Sequence, residues 1–173
     1  KGYAADEAAH ILSEHGVHAA VVDLGGNIKV VGKKPDGQPW RVGIQNPLDQ
    51  RGAYLGVVEL QGEATMVTSG VYERFFIGED GMRYHHILDT KSGYPIRNGL
   101  TSITVIAASS VDADGLSTSL FAMGLAAGME LAERLPDVEA VFVDEERRVY
   151  VSSGLQKIFT LQNPDFTLSP LAF

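Results

Sequence analysis

Ala19-Ala20-Val21-Val22-Asp23-Leu24-Gly25-Gly26-Asn27-Ile28-Lys29-Val30-Val31 carries the first decision about the fold. Ala19–Leu24 is a largely apolar run of strand length, and Ile28–Val31 is another. Gly25-Gly26-Asn27 between them are the residues that accept the positive φ of a tight reversal. The two runs are therefore expected to pair as an antiparallel hairpin rather than continue as one helix.

Working outward, the same signals repeat. Trp40–Ile44 alternates apolar and polar residues as a half-buried strand does. Further strands are expected at Tyr54–Leu60, Ala64–Ser69, Tyr72–Ile77 and Tyr84–Leu88, with Glu79-Asp80-Gly81 as the hairpin turn between the last two. Ser102–Ala108 continues the series, and Val138–Val143 with Val149–Ser152 reads as a final hairpin. Helical spacing appears at Ala4–Glu14, stopped by Gly16, and at Val111–Gly124 and about Ala126–Leu135. The tail, Asn163–Phe173, shows little pattern. With no repeat, low-complexity stretch or linker, residues 1–173 read as one α+β unit, mostly antiparallel sheet with a few packed helices.

Composition bounds the chemistry. A chain of 173 residues with 45% hydrophobic content has enough apolar side chains for a substantial core. The absence of Cys excludes a disulfide framework and a thiolate metal site. A formal charge of -8 argues against a nucleic-acid surface. An anionic nucleotide remains compatible where a metal ion or backbone amides neutralise it locally. No phosphate-loop, Rossmann, H-E-x-x-H or G-x-S-x-G pattern occurs. His15 and His18 lack an evident carboxylate or Cys partner, and read as solvated histidines at a helix end.

Four constellations carry possible chemistry. Asp112-Ala113-Asp114-Gly115-Leu116-Ser117-Thr118 opens a helix, and Asp114 and Thr118 are one turn apart on one face. A carboxylate and a hydroxyl so placed are hard-oxygen ligands that suit Mg²⁺; the alternative is an acidic first turn complementing the helix dipole. Tyr84-His85-His86-Ile87 puts adjacent histidines in a strand, on opposite faces, so that one can face a site as a general base while the other packs or meets solvent. Thr68-Ser69-Gly70-Val71-Tyr72-Glu73-Arg74 sets small residues and a phosphate-compatible Arg after a strand, or is simply a tight turn with a surface ion pair. Asp23–Asn27 is either an amide nest for an anion or only a Gly-rich hairpin.

Taken together and in order, five segments resemble the ApbE family of FAD:protein FMN transferases: Lys1–Asp6, Asp23–Asn27, Thr68–Phe75, His86–Pro95 and Ala113–Thr118. Trp40–Ile44 and Phe121–Gly124 also sit where that family has similar strings. The likeness runs from Lys1 to about Gly154. It implies an ApbE-like, T-fold-like architecture. It also implies that this chain is a C-terminal portion, because the Lys-Gly-Tyr string lies near mid-chain in the family. The preceding half would hold part of the flavin pocket and a carbonyl ligand to the metal, with any signal peptide and lipid-attachment Cys. An extracytoplasmic, lipid-anchored location follows as an expectation.

The resemblance further implies Mg²⁺ held by Asp114 and Thr118, FAD as substrate, and His86 as the base for an acceptor hydroxyl, a role Asp114 could share. Lys1, Asp6, Ser69, Tyr72 and Ile87 become flavin-nucleotide contacts, and Gly25 and Gly26 allow close backbone approach. The implied reaction moves FMN onto a Thr or Ser of a client flavoprotein and releases AMP. Hydrolysis of FAD to FMN and AMP, or flavin binding without catalysis, are the alternatives. Two departures from the family pattern stand out. Thr90-Lys91-Ser92-Gly93 replaces the more usual P-x-T-G, which bears on client or flavin fit, and Val71 stands where Asp or Asn is frequent.

Overall fold

In a computed structural model that describes residues 1–50 and 52–170, the hairpin forms as read. Strands β1 (Ala19–Asp23) and β2 (Asn27–Gly32) pair antiparallel, with Val21 opposite Val30. Gly25 and Gly26 at the reversal have φ of 71° and 77°, a region side-chain-bearing residues rarely adopt. Ahead of the hairpin lies helix α1 (Gly2–Glu14). After it come β3 (Trp40–Gln45), β4 (Tyr54–Leu60), β5 (Ala64–Gly70), β6 (Phe75–Ile77), β7 (Arg83–His85) and β8 (Leu100–Ala107). Helices α2 (Ser110–Met123) and α3 (Leu125–Arg134) follow, then β9 (Glu139–Asp144), β10 (Arg148–Val151), β11 (Phe159–Leu161) and β12 (Thr167–Leu168).

Seven strands form the main sheet in the order β1-β2-β5-β8-β9-β10-β12, antiparallel except for the parallel pair β10 and β12. A second sheet, β11-β4-β3, is antiparallel. Every position of β8 is buried, because it has cover on both faces. Along β9 the layers alternate with the strand period: Ala140 and Phe142 join the helices α2 and α3, whereas Val141 and Val143 face the second sheet. The helical layer contributes Ala113, Leu120, Phe121, Met129 and Ala132; the opposite layer contributes Val42, Ile44, Leu55 and Val58. The class is thus α+β and mostly antiparallel, as expected. No helix among the described residues is long and apolar enough to cross a membrane.

Three local readings change. Tyr72–Ile77 is not one strand: β6 starts at Phe75, and Tyr72–Arg74 is a turn. The chain turns back just after Gly70, where the Tyr72 ring lies so close that an added Cβ would overlap it. Tyr84–Leu88 also shortens, because β7 ends at His85; the His86 N–H donates to the Arg74 carbonyl (3.1 Å) and the chain bends away. Within the tail, Thr167–Leu168 does form a strand, beside β10, and Phe166 is buried in the core. A two-residue strand has no periodicity of its own to read, and its partner decides it. Leu171–Phe173, also placed in that tail, lie outside the described residues.

Candidate functional site

Helix α2 is anchored at its start from several directions. The Ser109 side chain accepts from the Asp112 N–H (3.3 Å), and the Ser109 carbonyl accepts from Ala113 N–H (3.1 Å). The remaining two leading amides, Ser110 and Val111, donate to the Asp6 carboxylate of α1 at 2.9–3.0 Å. Three of the amides that a helix start leaves without intrahelical partners, those of Ser110, Val111 and Asp112, are therefore satisfied, and an anion sits at the positive end of the dipole. Lys29 from β2, nearly buried, completes the junction: its Nζ lies 3.1 Å from Asp6 Oδ1 and donates to the Ala108 carbonyl at 2.6 Å. Burial works to raise the Asp6 pKa. The Ser110 and Val111 amides and the Lys29 ammonium outweigh it and hold the carboxyl below its ordinary value.

One turn further along α2 stands Asp114. Its Oδ2 accepts from the Gly2 N–H (2.9 Å), and the Lys1 backbone nitrogen is 3.3 Å away. Among the described residues Oδ1 makes no hydrogen bond, and the side chain is 35% exposed, so one oxygen remains available to a ligand. Thr118 follows at the next turn on the same face. Here a chain of hydroxyls settles its own direction. Ser117 Oγ donates to the Asp114 carbonyl (3.1 Å), so Ser69 Oγ must donate to Ser117 (2.8 Å), and Thr118 Oγ1 must donate to Ser69 (3.3 Å). The Thr118 hydroxyl spends its proton on β5 and keeps its lone pairs.

The glycine hairpin joins this cluster through Lys1, whose Nζ donates to the Gly25 carbonyl at 2.6 Å, while Gly25 N–H donates to Asp23 Oδ1 (2.9 Å). Gly26 packs beside β5, its carbonyl accepting from Thr68 N–H (2.8 Å). Lys1, Gly25, Gly26, Ser69, Asp114 and Thr118 thus converge. Between the two sheets a cleft of about 270 Å³ opens next to them, lined by Asp23, Gly26, Gln45, Tyr54, Thr68 and Tyr72. Burial, followed by the neighbouring Glu73 carboxylate, pushes the Tyr72 phenol well above the ordinary tyrosine range, so it remains a neutral donor.

His86 is held separately. Its Nδ1 lies 3.2 Å from the Arg74 carbonyl, which also takes its backbone N–H. A carbonyl can only accept, so Nδ1 carries the hydrogen and Nε2 is left as an acceptor, in an exposed ring. Its neighbour His85 is the packed one: Nε2–H donates to Ile96 (3.0 Å), Nδ1 accepts from Ile87 N–H (3.3 Å), and the ring meets Phe121 edge-on. Ile87 is buried in the core with its amide and carbonyl both bonded, the latter to Ile96 N–H (3.0 Å). Asp6 likewise spends both carboxylate oxygens on α2 and Lys29.

The donor set suits Mg²⁺, which takes one or two carboxylates and completes its shell with water and substrate phosphate. Asp114 Oδ1 and the Thr118 lone pairs are hard, available oxygens on one helix face. Among the described residues no cluster of three or more His, Cys, Asp and Glu exists, as a site finished by substrate oxygens requires none. Sequence reading passed over Lys29, Ser110 and Ser117. The signal for Lys29 was present: a lone Lys within the apolar run Ile28–Val31 has to find an anion if that strand is buried.

Comparison with known proteins bears on the family and the fold. The sequence profile of the ApbE family matches residues 1–142. A Klebsiella pneumoniae FAD:protein FMN transferase is 39% identical over 153 residues, 88% of this chain and 46% of that protein. A Treponema pallidum FAD:protein FMN transferase is 37% identical over 163 residues, 90% of this chain and 44% of that protein. The crystal structure of an ApbE protein from Thermotoga maritima superposes with a TM-score of 0.80 at 32% identity, covering 91% of this chain and 50% of that one. The flavinyl transferase ApbE of Pseudomonas stutzeri gives 0.72 at 39% identity, covering 91% and 48%. This chain spans about half the length of the relatives it matches. On the profile, the relatives and the shared fold, this chain belongs to the ApbE family.

Proposed function

We propose that this chain forms the metal- and pyrophosphate-binding portion of a Mg²⁺-dependent flavin transferase that moves FMN from FAD to a Thr or Ser of a client protein. The observation that carries the reading is the α2 face, where an available carboxylate oxygen of Asp114 and the proton-free side of Thr118 stand together. When bound there, Mg²⁺ supplies charge neutralisation at the FAD pyrophosphate. The protein's own part is positioning. Gly25 and Gly26 bring backbone to the nucleotide, and Lys1 and Ser69 hold the surrounding polar groups. Tyr72 lines the adjoining cleft. His86, oriented by the Arg74 carbonyl, takes the acceptor hydroxyl proton on Nε2. The hydroxyl oxygen forms a bond to the FMN phosphorus, the pyrophosphate bond to AMP breaks, and AMP departs with the bridging oxygen. The names of the relatives support FAD as donor and a protein as acceptor. On the same family reading, the protein works outside the cytoplasm, tethered by a lipid anchor.

The test uses the full-length protein containing this chain, FAD, Mg²⁺ and a peptide with an acceptor Thr, with mass spectrometry reading the FMN adduct. Asp114→Ala should abolish the adduct, and His86→Ala should slow its formation by about 10²–10⁴-fold. FMN and AMP released without adduct would replace the transferase with a hydrolase. Bound FAD with no turnover would leave a flavin-binding protein.

A further inference from the structure

The contact between α1 and α2 has a register. Gly2 and Asp6 are one turn apart on α1, and Ser110 and Asp114 are one turn apart on α2. Gly2 N–H meets Asp114 Oδ2 at 2.9 Å, and the Asp6 carboxylate meets Ser110 N–H at 2.9 and 3.0 Å. The approach is close enough that a Cβ on Gly2 would overlap the Ser110 carbonyl. Sliding one helix past the other by a turn, about 5.4 Å, would move the Asp114 carboxylate off the Gly2 amide. Something must select this register, since small-residue packing at Gly2 permits approach without fixing position.

The selecting charges are Asp6 and Lys29. Lys29 is 5% exposed, and among the described residues its anionic partner is Asp6. Its ammonium also takes the Ala108 carbonyl, in the connection from β8 to α2. A buried ammonium without its partner is costly, so this pairing confines α1, β2 and the entrance to α2 to one arrangement. The Ser110 hydroxyl extends the lock, donating to Asn27 Oδ1 of β2 at 2.7 Å and lying 3.0 Å from Thr65 Oγ1 of β5.

We propose that Asp6 and Lys29 are positioning residues. By fixing the register of α1 on α2, they set where Asp114 and Thr118 present their oxygens to the metal. Asp6 acts through the helix amides and makes no direct contact with the nucleotide. This inference rests on the reading of α2 as the Mg²⁺-binding helix.

The experiment measures, in the full-length protein, the Mg²⁺ concentration that half-saturates flavin transfer. FAD affinity is measured separately by flavin fluorescence in EDTA. Lys29→Met should raise the half-saturating Mg²⁺ about tenfold, the scale of effects from groups that orient metal ligands, with metal-free FAD affinity changed less than about twofold. If Lys29→Met does not fold, Asp6→Asn, which keeps the side chain's shape, carries the same expectation. An unchanged Mg²⁺ requirement beside a lowered unfolding temperature would make the pair merely structural and overturn the proposal. A large loss of FAD affinity in EDTA would also overturn it, by making Asp6 or Lys29 a direct nucleotide contact. Asp114→Asn in the same assay separates the two layers. If that variant keeps the normal Mg²⁺ dependence, the metal-site reading fails and this proposal falls with it. If Asp114→Asn alone shifts, the pair is wrong and the metal site stands.

Discussion

The two halves of the candidate site are built differently. Around α2, α1 and β5, every polar group that matters is tied to a different element: Asp6 to α2, Lys29 to the α2 entrance, Thr118 to β5, Lys1 to the hairpin turn. Beneath them Leu120, Phe121 and Ile103 are fully buried. The region that carries His86 is thin by contrast. β6 and β7 form a two-stranded sheet of their own, and Phe75, Phe76 and Ile77 are 45%, 65% and 57% exposed. The turn of this hairpin is closed locally, by Asp80 accepting from the Met82 amide and the Tyr84 hydroxyl. Sites that grip a metal and a pyrophosphate need fixed oxygens, whereas the side that receives a protein hydroxyl has to admit a second macromolecule. On the proposed function, the difference in construction follows that division.

The largest effect should come from the rigid half. Leu120→Ala removes a fully buried side chain from the layer between α2 and the main sheet and should cost about 2–5 kcal/mol. Denaturant unfolding of the full-length protein reads this directly. A cost below about 1 kcal/mol would mean that the α2 layer is no better packed than the hairpin, and the contrast would collapse.

Much of the rigid half was legible in the sequence, for a physical reason. The pairing of Asp114 with Thr118 depends on helical periodicity alone, and the glycine hairpin depends on a local φ requirement. What joins them is not local. The Ser69–Ser117–Thr118 relay exists because β5 lies beneath α2, and no residue spacing states that adjacency. Asp6 illustrates the limit. Its place in the Lys-Gly-Tyr string suggested a ligand contact, while its oxygens are taken up by the amides of a helix more than a hundred residues away. The strand expected at Tyr72–Ile77 failed for an equally specific reason. Aromatic and β-branched residues gave strand propensity, yet Tyr72 packs back on Gly70 and the strand starts only at Phe75.

A second prediction concerns the seam between the halves, where the His85 ring reaches back to Phe121. Burial lowers the His85 pKa below the ordinary histidine value of about 6.5; the Ile96 carbonyl partly opposes this, and His86, Arg97 and Arg83 add to it. The geometry agrees, because Nδ1 accepts the Ile87 N–H and has no room for a proton. The unfolded chain therefore binds a proton that the folded protein refuses as pH drops through about 6.5, and stability falls with it. Between pH 7.5 and 5.5 the protein should therefore lose stability on account of this group. His85→Gln, which can still donate to Ile96, should lose less stability over that interval than the parent protein. Identical pH dependence in the two would show that the seam is open to water and that His85 belongs to the loose half.

The smallest effect should lie at the hairpin. Phe76 stacks on its cross-strand partner Tyr84 with ring centroids 5.2 Å apart and planes 9° from parallel. Such a pair contributes about 0.5–1.5 kcal/mol, but only to the unit that contains it. The rings are outside both core clusters, so Phe76→Ala should loosen β6 and β7 while leaving the main sheet intact. The global denaturation midpoint should stay nearly fixed, while the amides that pair β6 with β7 exchange faster, as local opening predicts. His86 hangs from the Arg74 carbonyl at the base of this hairpin, so its ring resonances should broaden in the same variant while those of Lys1 and Ser69 do not. A midpoint shift as large as that of Leu120→Ala would show that the hairpin folds cooperatively with the core. The proposed base would then be held as firmly as the proposed metal ligands, and on that reading admission of the acceptor would have to come from elsewhere.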